Sequence, residues 1–393
     1  MPIKNGKQYM ERIDRQRINV WYNGKQVTDP LSGHPAFRGL IRTQAGMYDK
    51  QCEESLRDIM TYTSPLTGER VGLSFLPPES PEDLIRRRRM SESWAGIHHG
   101  FLGRSPDYMN TALMSFYTAA PLLEEISPEH ARNMRSYYEY CRDNDITLSH
   151  ASAIDHPLSS RYEEMDTLVI FNRVLVPHER VFYYGDERMY DHLFHEGHFH
   201  AYAGHHIITR YIAKTEFFLG LLQALAEEQN TDAEPSFVSR IVKVMAMLEN
   251  WKALRLAAES GGTYTPFGHY VPALAPLTAA GIQFPDLHAE VLRMIQTLSA
   301  SQLVMNPFAA DFDSVNQTYL ALYLQGLSSL AKERTALFRL AWELGGGAFG
   351  GRQNQFERFF FGNGSTIANR MYDGCEELEE YKTRIFRLLG KGV

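Results

Sequence analysis

Cysteine is scarce in this sequence: 393 residues hold three, Cys52, Cys141 and Cys375. They are far apart, odd in number and in no CxxC or Cys/His spacing. That excludes a disulfide framework and a zinc module and fits a reducing, cytoplasmic setting. Long apolar runs are missing too. None approaches the roughly 20 residues that span a bilayer. Residues 1–20 carry Lys4, Lys7, Glu11, Arg12 and Asp14 with no apolar core, so no secretory leader is expected. Basic charge is in deficit, with 40 Lys and Arg against 47 Asp and Glu and a formal net charge of −7. A general nucleic-acid binder needs the opposite balance. The Arg86–Arg89 run is the local exception and reads as a solvated helical face. No GxGxxG opens a helix in a βαβ unit, so a Rossmann cofactor site is not supported. Internal repeats and low-complexity tracts are absent.

What the chain does have is apolar and aromatic material, 44% and 12% of residues, enough for a large core and two or three domains. Asn23-Gly24, flanked by Val20–Tyr22 and Val27, predicts a type I′ hairpin over 19–28. Helical patterns cover 36–60, 81–100, 106–122 and 128–144, with Ser127-Pro128 as a cap and first-turn proline. Thr167–Phe171, Val174–Val176 and Val181–Tyr184 are rich in β-branched and aromatic residues and read as short strands. From about 187 the period is helical. Ile207, Ile208, Tyr211, Ile212, Phe218, Leu219, Leu222 and Leu225 recur at three- and four-residue steps within 203–228. A helix from Pro235 stops at Gly261-Gly262, and 262–285 reads as a Pro/Gly-rich loop. Helices 286–300 and 316–344 follow, then Gly345–Gly347 and a short charged helix. The outline is an N-terminal helical part with a short hairpin (1–150), a residual middle β domain (151–186) and a C-terminal helical bundle (187–393). This fold class is mainly α with a small β domain, compatible with an acyl-CoA-dehydrogenase-like architecture.

Four groups of residues could carry chemistry. In GRSPDYMN (103–110), Arg104 and Tyr108 lie four apart around a helix start. They can converge on one oxygen, with Arg supplying fixed charge and Tyr a neutral donor. The alternative is an ordinary helix terminus with an ion pair. His150, ending DITLSH, titrates near neutrality and could take or share a phenol proton. It could equally be a satisfied structural histidine. In FGGRQNQFERFFFGNGST (349–366), Arg352 and Gln353 follow a glycine-dense turn. Gly362, Asn363, Gly364, Ser365 and Thr366 offer backbone N–H groups to a flat ring or a phosphate. A helix end packed on a Phe cluster is the alternative. His192, His195, His198, His200, His205 and His206 crowd into 15 positions without an HExxH. Helix packing with partly exposed imidazoles is favoured over a metal site.

Several long segments, in order, resemble the 4-hydroxyphenylacetate 3-hydroxylase family. They are Gly6 and Tyr9, HPAF (34–37), GRSPDY (103–108), YYEYCRDNDITLSH (137–150) and DHPLSSRYEEMD (155–166). VLVPHERVF (174–182), RYIAKTEFFLGL (210–221), LFRLAWEL (337–344) and RQNQFERFFFG (352–362) follow. The resemblance implies a helix–β–helix subunit of the acyl-CoA dehydrogenase type, assembled as a homotetramer, a dimer of dimers. It implies reduced FAD as a diffusible co-substrate from a separate NAD(P)H-dependent flavin reductase, and ortho hydroxylation of a phenol with O2 through a flavin C4a-hydroperoxide. By position, Arg104, Tyr108 and His150 match residues that bind the phenolic oxygen. His150 also lies near the flavin, and the 362–366 turn matches a flavin-contacting loop.

The sequence departs from the resemblance at one place. A sizeable β-domain is expected between ITLSH and HPLSSR, but only Ala151–Asp155 separate His150 from His156-Pro157. Most of that domain, with part of the flavin site and a loop over the substrate, is missing. Three rival readings are weighed. A 4-hydroxybutyryl-CoA dehydratase-like enzyme needs an iron–sulfur cluster that three scattered thiols do not supply. An acyl-CoA-dehydrogenase-like enzyme needs a catalytic Glu that no motif marks. The third is a non-catalytic helical subunit that has lost its flavin domain.

Overall fold

The computed structural model describes residues 3–16, 18–147, 158–164, 169–327 and 329–390. It is mainly helical, built around one long helix, Phe199–Glu228. Of its 30 residues, 20 are buried, so it is covered on every side, as a central helix must be. Pro235–Ser260, Leu274–Ser299, Pro81–His98 and Pro106–Thr118 pack around it. Tyr211 stacks on Phe284 with ring centroids 3.7 Å apart, and Trp251 closes the cluster at 6.0 Å from Phe284. One apolar core runs from Leu40 and Trp94 through Phe218 and Val291 to Phe349. N-terminal and C-terminal helices therefore share it.

The Ser127 cap expected from the sequence forms, and Ser80 caps the Pro81 helix in the same way. Ser80 and Ser127 side chains accept from Asp83 and His130 N–H, each with a proline in the first turn. The hairpin pairs Trp21–Tyr22 with Lys25–Gln26 across Asn23 and Gly24, both at positive φ. The other strands among the described residues are two more two-stranded hairpins, Thr61–Thr63 with Arg70–Gly72 and Thr263–Tyr264 with Tyr270–Val271.

The structure corrects several expectations. Residues 169–184 contain no strand; their one regular element is a 3-10 turn, His178–Arg180. Ile170, Phe171 and Leu175 are 77%, 79% and 89% exposed. Strand-forming side chains make no sheet without neighbouring strands to pair with. Thr167 lies outside the described residues. The 262–285 loop ends early, because Leu274–Ser299 is one helix with Pro285 inside it. Burial of Leu277, Phe284, Leu287 and Val291 on one face overrides the proline and Gly281. The predicted 316–344 helix is two, Gln317–Tyr323 and Ala331–Gly345, parted where Gly326 N–H bonds Ser329 O. Arg352-Gln353 lie inside a helix, Ala348–Phe359, that runs through Gly350-Gly351. The Arg86–Arg89 run is a solvated face only at Arg86 and Arg89. Arg87 is buried, donating to Ser74 O, Leu76 O and Thr111 Oγ1 at 2.7–2.8 Å, and Arg88 reaches Glu259 at 2.9 Å.

Candidate active site

The site begins with polar side chains on the apolar central helix. His206, Arg210 and Lys214 recur every four residues, on one face. His206 Nε2 meets Asp107 Oδ2 at 2.9 Å, pinning the first turn of the Pro106 helix. Burial acts to raise the Asp107 carboxyl, but His206 outweighs it and holds the group at about 2. Arg210 and Lys214 both bond Glu357 of the Ala348 helix, at 2.5–2.9 Å. Burial works to raise Glu357, yet the two cations hold it well below the usual carboxylate range. Burial pulls Lys214 down to about 8, against the attraction of Glu357. His205 pairs with Glu259 at 2.9 Å. These two histidines are buried rather than partly exposed. No cluster able to hold a metal occurs among the described residues, and the His195 side chain lies outside them.

A second anchor is the short Ser159–Tyr162 helix. Glu343 accepts from Leu158 N–H and from Ser159 Oγ, the latter at 3.0 Å. Gly39 permits the approach on the other side, since a Cβ there would lie 1.6 Å from Ser160 O. The chain leaving this helix carries Glu163 and Glu164 to the front of the bundle. Glu163 takes both Nε and Nη2 of Arg352, the first at 2.8 Å. Glu164 accepts from Gly103 N–H at 2.7 Å and Arg104 N–H at 2.9 Å.

Between these anchors lies a cavity of about 290 Å³, lined by Arg104, Glu163, Glu164, Arg352, Gln353, Gln355, Phe356, Phe359 and Phe360. Arg104 sits 6.0 Å from the Phe356 ring centroid. The turn touches that ring so closely that a Cβ on Gly103 would lie 1.9 Å from it. Tyr108 is not on the lining but packs behind it, 5.0 Å from Phe360 and 5.6 Å from His206. Burial lifts its phenol to about 12, against Arg210 and Arg104, so it is a neutral donor. Gln353 is held at both ends of its amide, by Lys214 Nζ at 2.8 Å and Phe101 O at 3.2 Å.

Of the residues singled out in the sequence, the structure gathers Arg104, Arg352 and Gln353 on one cavity, with Tyr108 adjacent. His150 lies outside the described residues. The 362–366 turn is not part of the lining. It starts the Gly364–Asp373 helix, with Asn363 accepting Thr366 N–H at 2.9 Å and Ser365 Oγ at 2.6 Å. Gly362 has φ +122°, and Phe361 before it wedges against Gly204 and Gly281. Sequence reasoning missed Glu163, Glu164, Glu343, Asp107, Lys214 and Glu357. The readable signal was Arg210 and Lys214 falling among the closely spaced apolar residues of the central helix, where unpaired charge is costly.

The Arg104 guanidinium and a wall of Phe rings suit a flat ring bearing an anionic oxygen, while Arg352 is engaged by Glu163. At about 290 Å³ the cavity lies at the small end of the range of ligand pockets. Models of the 4-hydroxyphenylacetate 3-hydroxylase N-terminal part match residues 5–153 and 151–183, and that of the C-terminal part matches 190–390. A probable 4-hydroxyphenylacetate 3-monooxygenase of Bacillus subtilis is 31% identical over 97% of each chain. A 4-hydroxyphenylacetate 3-monooxygenase oxygenase component of Thermus thermophilus is 31% identical over 99% of this chain and 98% of its own. A crystal structure of such an oxygenase component with FAD and 4-hydroxyphenylacetate superposes with TM-score 0.90, at 30% identity over 98% of each chain. An archaeal 4-hydroxybutyryl-CoA dehydratase shares the fold, with TM-score 0.85 at 14% identity over 100% of this chain and 96% of its own. The Bacillus alignment runs over 472 positions against 393 residues here, so at least 79 of them have no counterpart. The N-terminal match breaks at 151–153, the junction where a segment was expected to be missing. The chain belongs to the 4-hydroxyphenylacetate 3-hydroxylase family, as a flavin-dependent monooxygenase of the oxygenase-component type.

Proposed function

We propose that the chain hydroxylates 4-hydroxyphenylacetate, or a closely related phenol, ortho to its hydroxyl, using reduced FAD and O2. The observation that carries this is the cavity pairing Arg104 with an aromatic wall. Reduced FAD and O2 supply an electrophilic oxygen atom when bound. The protein's part is to make the ring nucleophilic. Arg104 stabilises the phenolate, and Tyr108, a neutral phenol packed behind Phe360, is proposed to reach the same oxygen from behind the lining. His150 accepts or shares the phenol proton. Phe356, Phe359 and Phe360 keep the site dry. Arg352, Gln353, His150 and the Gly362–Thr366 turn are the proposed flavin contacts. Glu163 and Lys214 keep the first two fixed. A separate NAD(P)H-dependent reductase supplies the flavin, in the cytoplasm, and the subunit works as a homotetramer.

The test is a single mix of purified chain, reduced FAD, O2 and 4-hydroxyphenylacetate. Catechol product is expected. Arg104→Ala removes about 3 kcal/mol of charge stabilisation and slows the step by about two orders of magnitude. Peroxide as the sole product, with or without phenol, sinks the reading. That result favours a second reading, a helical subunit without hydroxylase activity, which the break at 151–153 motivates.

A further inference from the structure

We propose that Glu164 is a positioning residue: its carboxylate grips the Gly103 and Arg104 N–H groups and so sets where the Arg104 guanidinium enters the cavity. The proposal rests on Arg104 being the phenol anchor. Four observations carry it. The Gly103-Arg104 turn precedes Ser105-Pro106, and Pro106 opens its helix with no side-chain cap bond from Ser105. The two N–H groups ahead of that start are held by a residue 60 positions away in sequence, Glu164 Oε1 and Oε2 lying 2.7–3.1 Å from them. Gly103 is pressed against Phe356, so the turn is fixed on its other face by the cavity wall. Finally, the chain behind Glu164 is tied to the bundle through Leu158, Ser159 and Glu343. The clamp is therefore mounted on a fixed base, not on a loose loop.

Its charge is sensitive to its surroundings. Burial of the carboxyl oxygens raises Glu164 to about 7, although the residue keeps some exposure at the cavity. The two N–H bonds and the charges of Arg104 and Arg210 act in the opposite direction. Lys214 and Glu357 lie behind it, and Glu163 with Arg352 beside it. Protonation discharges the acceptor, and a carboxylate binds N–H groups about twice as strongly as a neutral oxygen does. The grip thus weakens as pH falls below about 7.

Glu164→Gln and Glu164→Ala test this in the full chain, with melting temperature checking that each variant folds. Hydrogen exchange is read by mass spectrometry on a peptide spanning Phe101–Ser105, corrected for intrinsic rate at each pH. Exchange at Gly103 and Arg104 is expected to be about tenfold or more faster in Glu164→Ala. In the wild type it should rise, relative to the intrinsic rate, on going from pH about 8 to about 6, and in Glu164→Gln it should not. With 4-hydroxyphenylacetate, reduced FAD and O2, kcat/KM of the wild type should show an acid limb near pH 7 that Glu164→Gln lacks. Unchanged exchange in both variants overturns the clamp, and an unchanged kcat/KM profile in Glu164→Gln overturns its positioning role. A wild type that forms no catechol defeats the hydroxylase reading alone, and the exchange arm still decides the clamp.

Discussion

Two cations and one anion share a fully buried polar site. Arg210 and Lys214 are both essentially unexposed and both depend on Glu357. Breaking such a group from the anion side strands two buried charges. Glu357→Ala should therefore cost about 3–5 kcal/mol in denaturant-unfolding free energy. Glu357→Gln keeps the shape but not the charge. Lys214, already drawn down to about 8, should then be neutral at physiological pH, and the cost should shrink as pH rises. A loss below about 1 kcal/mol for Glu357→Ala would mean that water reaches the cluster. Residues of this kind also show what a sequence conceals. Arg104 and Arg352 were readable because each sits beside a glycine or a helix start. Glu163, Glu164 and Glu343 look like surface carboxylates in one dimension; only the fold turns them onto buried N–H groups and guanidinium.

At the scale of elements, the turn before the Pro106 helix is the sensitive piece. Gly103→Ala places a methyl where the Phe356 ring lies, so either the ring leaves the cavity wall or the turn leaves Glu164. Both outcomes disturb Arg104. Hydroxylation should fall at least about tenfold, while overall stability drops by about 1–3 kcal/mol, the usual cost of overpacking. Wild-type kinetics in the variant would show that the turn tolerates displacement. The helices from Pro81 and Pro128 were legible, since local caps and period specify them. Residues 169–184 were not, because strand propensity is fulfilled only by partner strands. The Leu274 helix was missed for the opposite reason: Gly281 and Pro285 argue locally against a helix that packing on the Phe199 helix sustains.

For the whole molecule, the surface left by folding carries exposed apolar side chains along Gln317–Tyr323 and at the end of the charged final helix, Leu378–Leu388. Leu322, Tyr323 and Leu388 are 71%, 80% and 82% exposed. Patches of this sort mark contact surfaces, which the proposed homotetramer would need. Native mass spectrometry should find four copies, and Leu322→Asp with Tyr323→Asp should yield smaller species. A wild-type monomer would remove the proposed assembly.

The two family models divide the chain near residue 183, but the folded protein does not. Asp107, before that line, is matched by His206 after it, and Gly103 and Arg104 depend on a loop moored to Glu343. Each portion buries polar groups and apolar surface that the other satisfies. Expressed separately, fragments 1–186 and 187–393 should each precipitate. Made together, they should recombine into a complex that melts in one cooperative step.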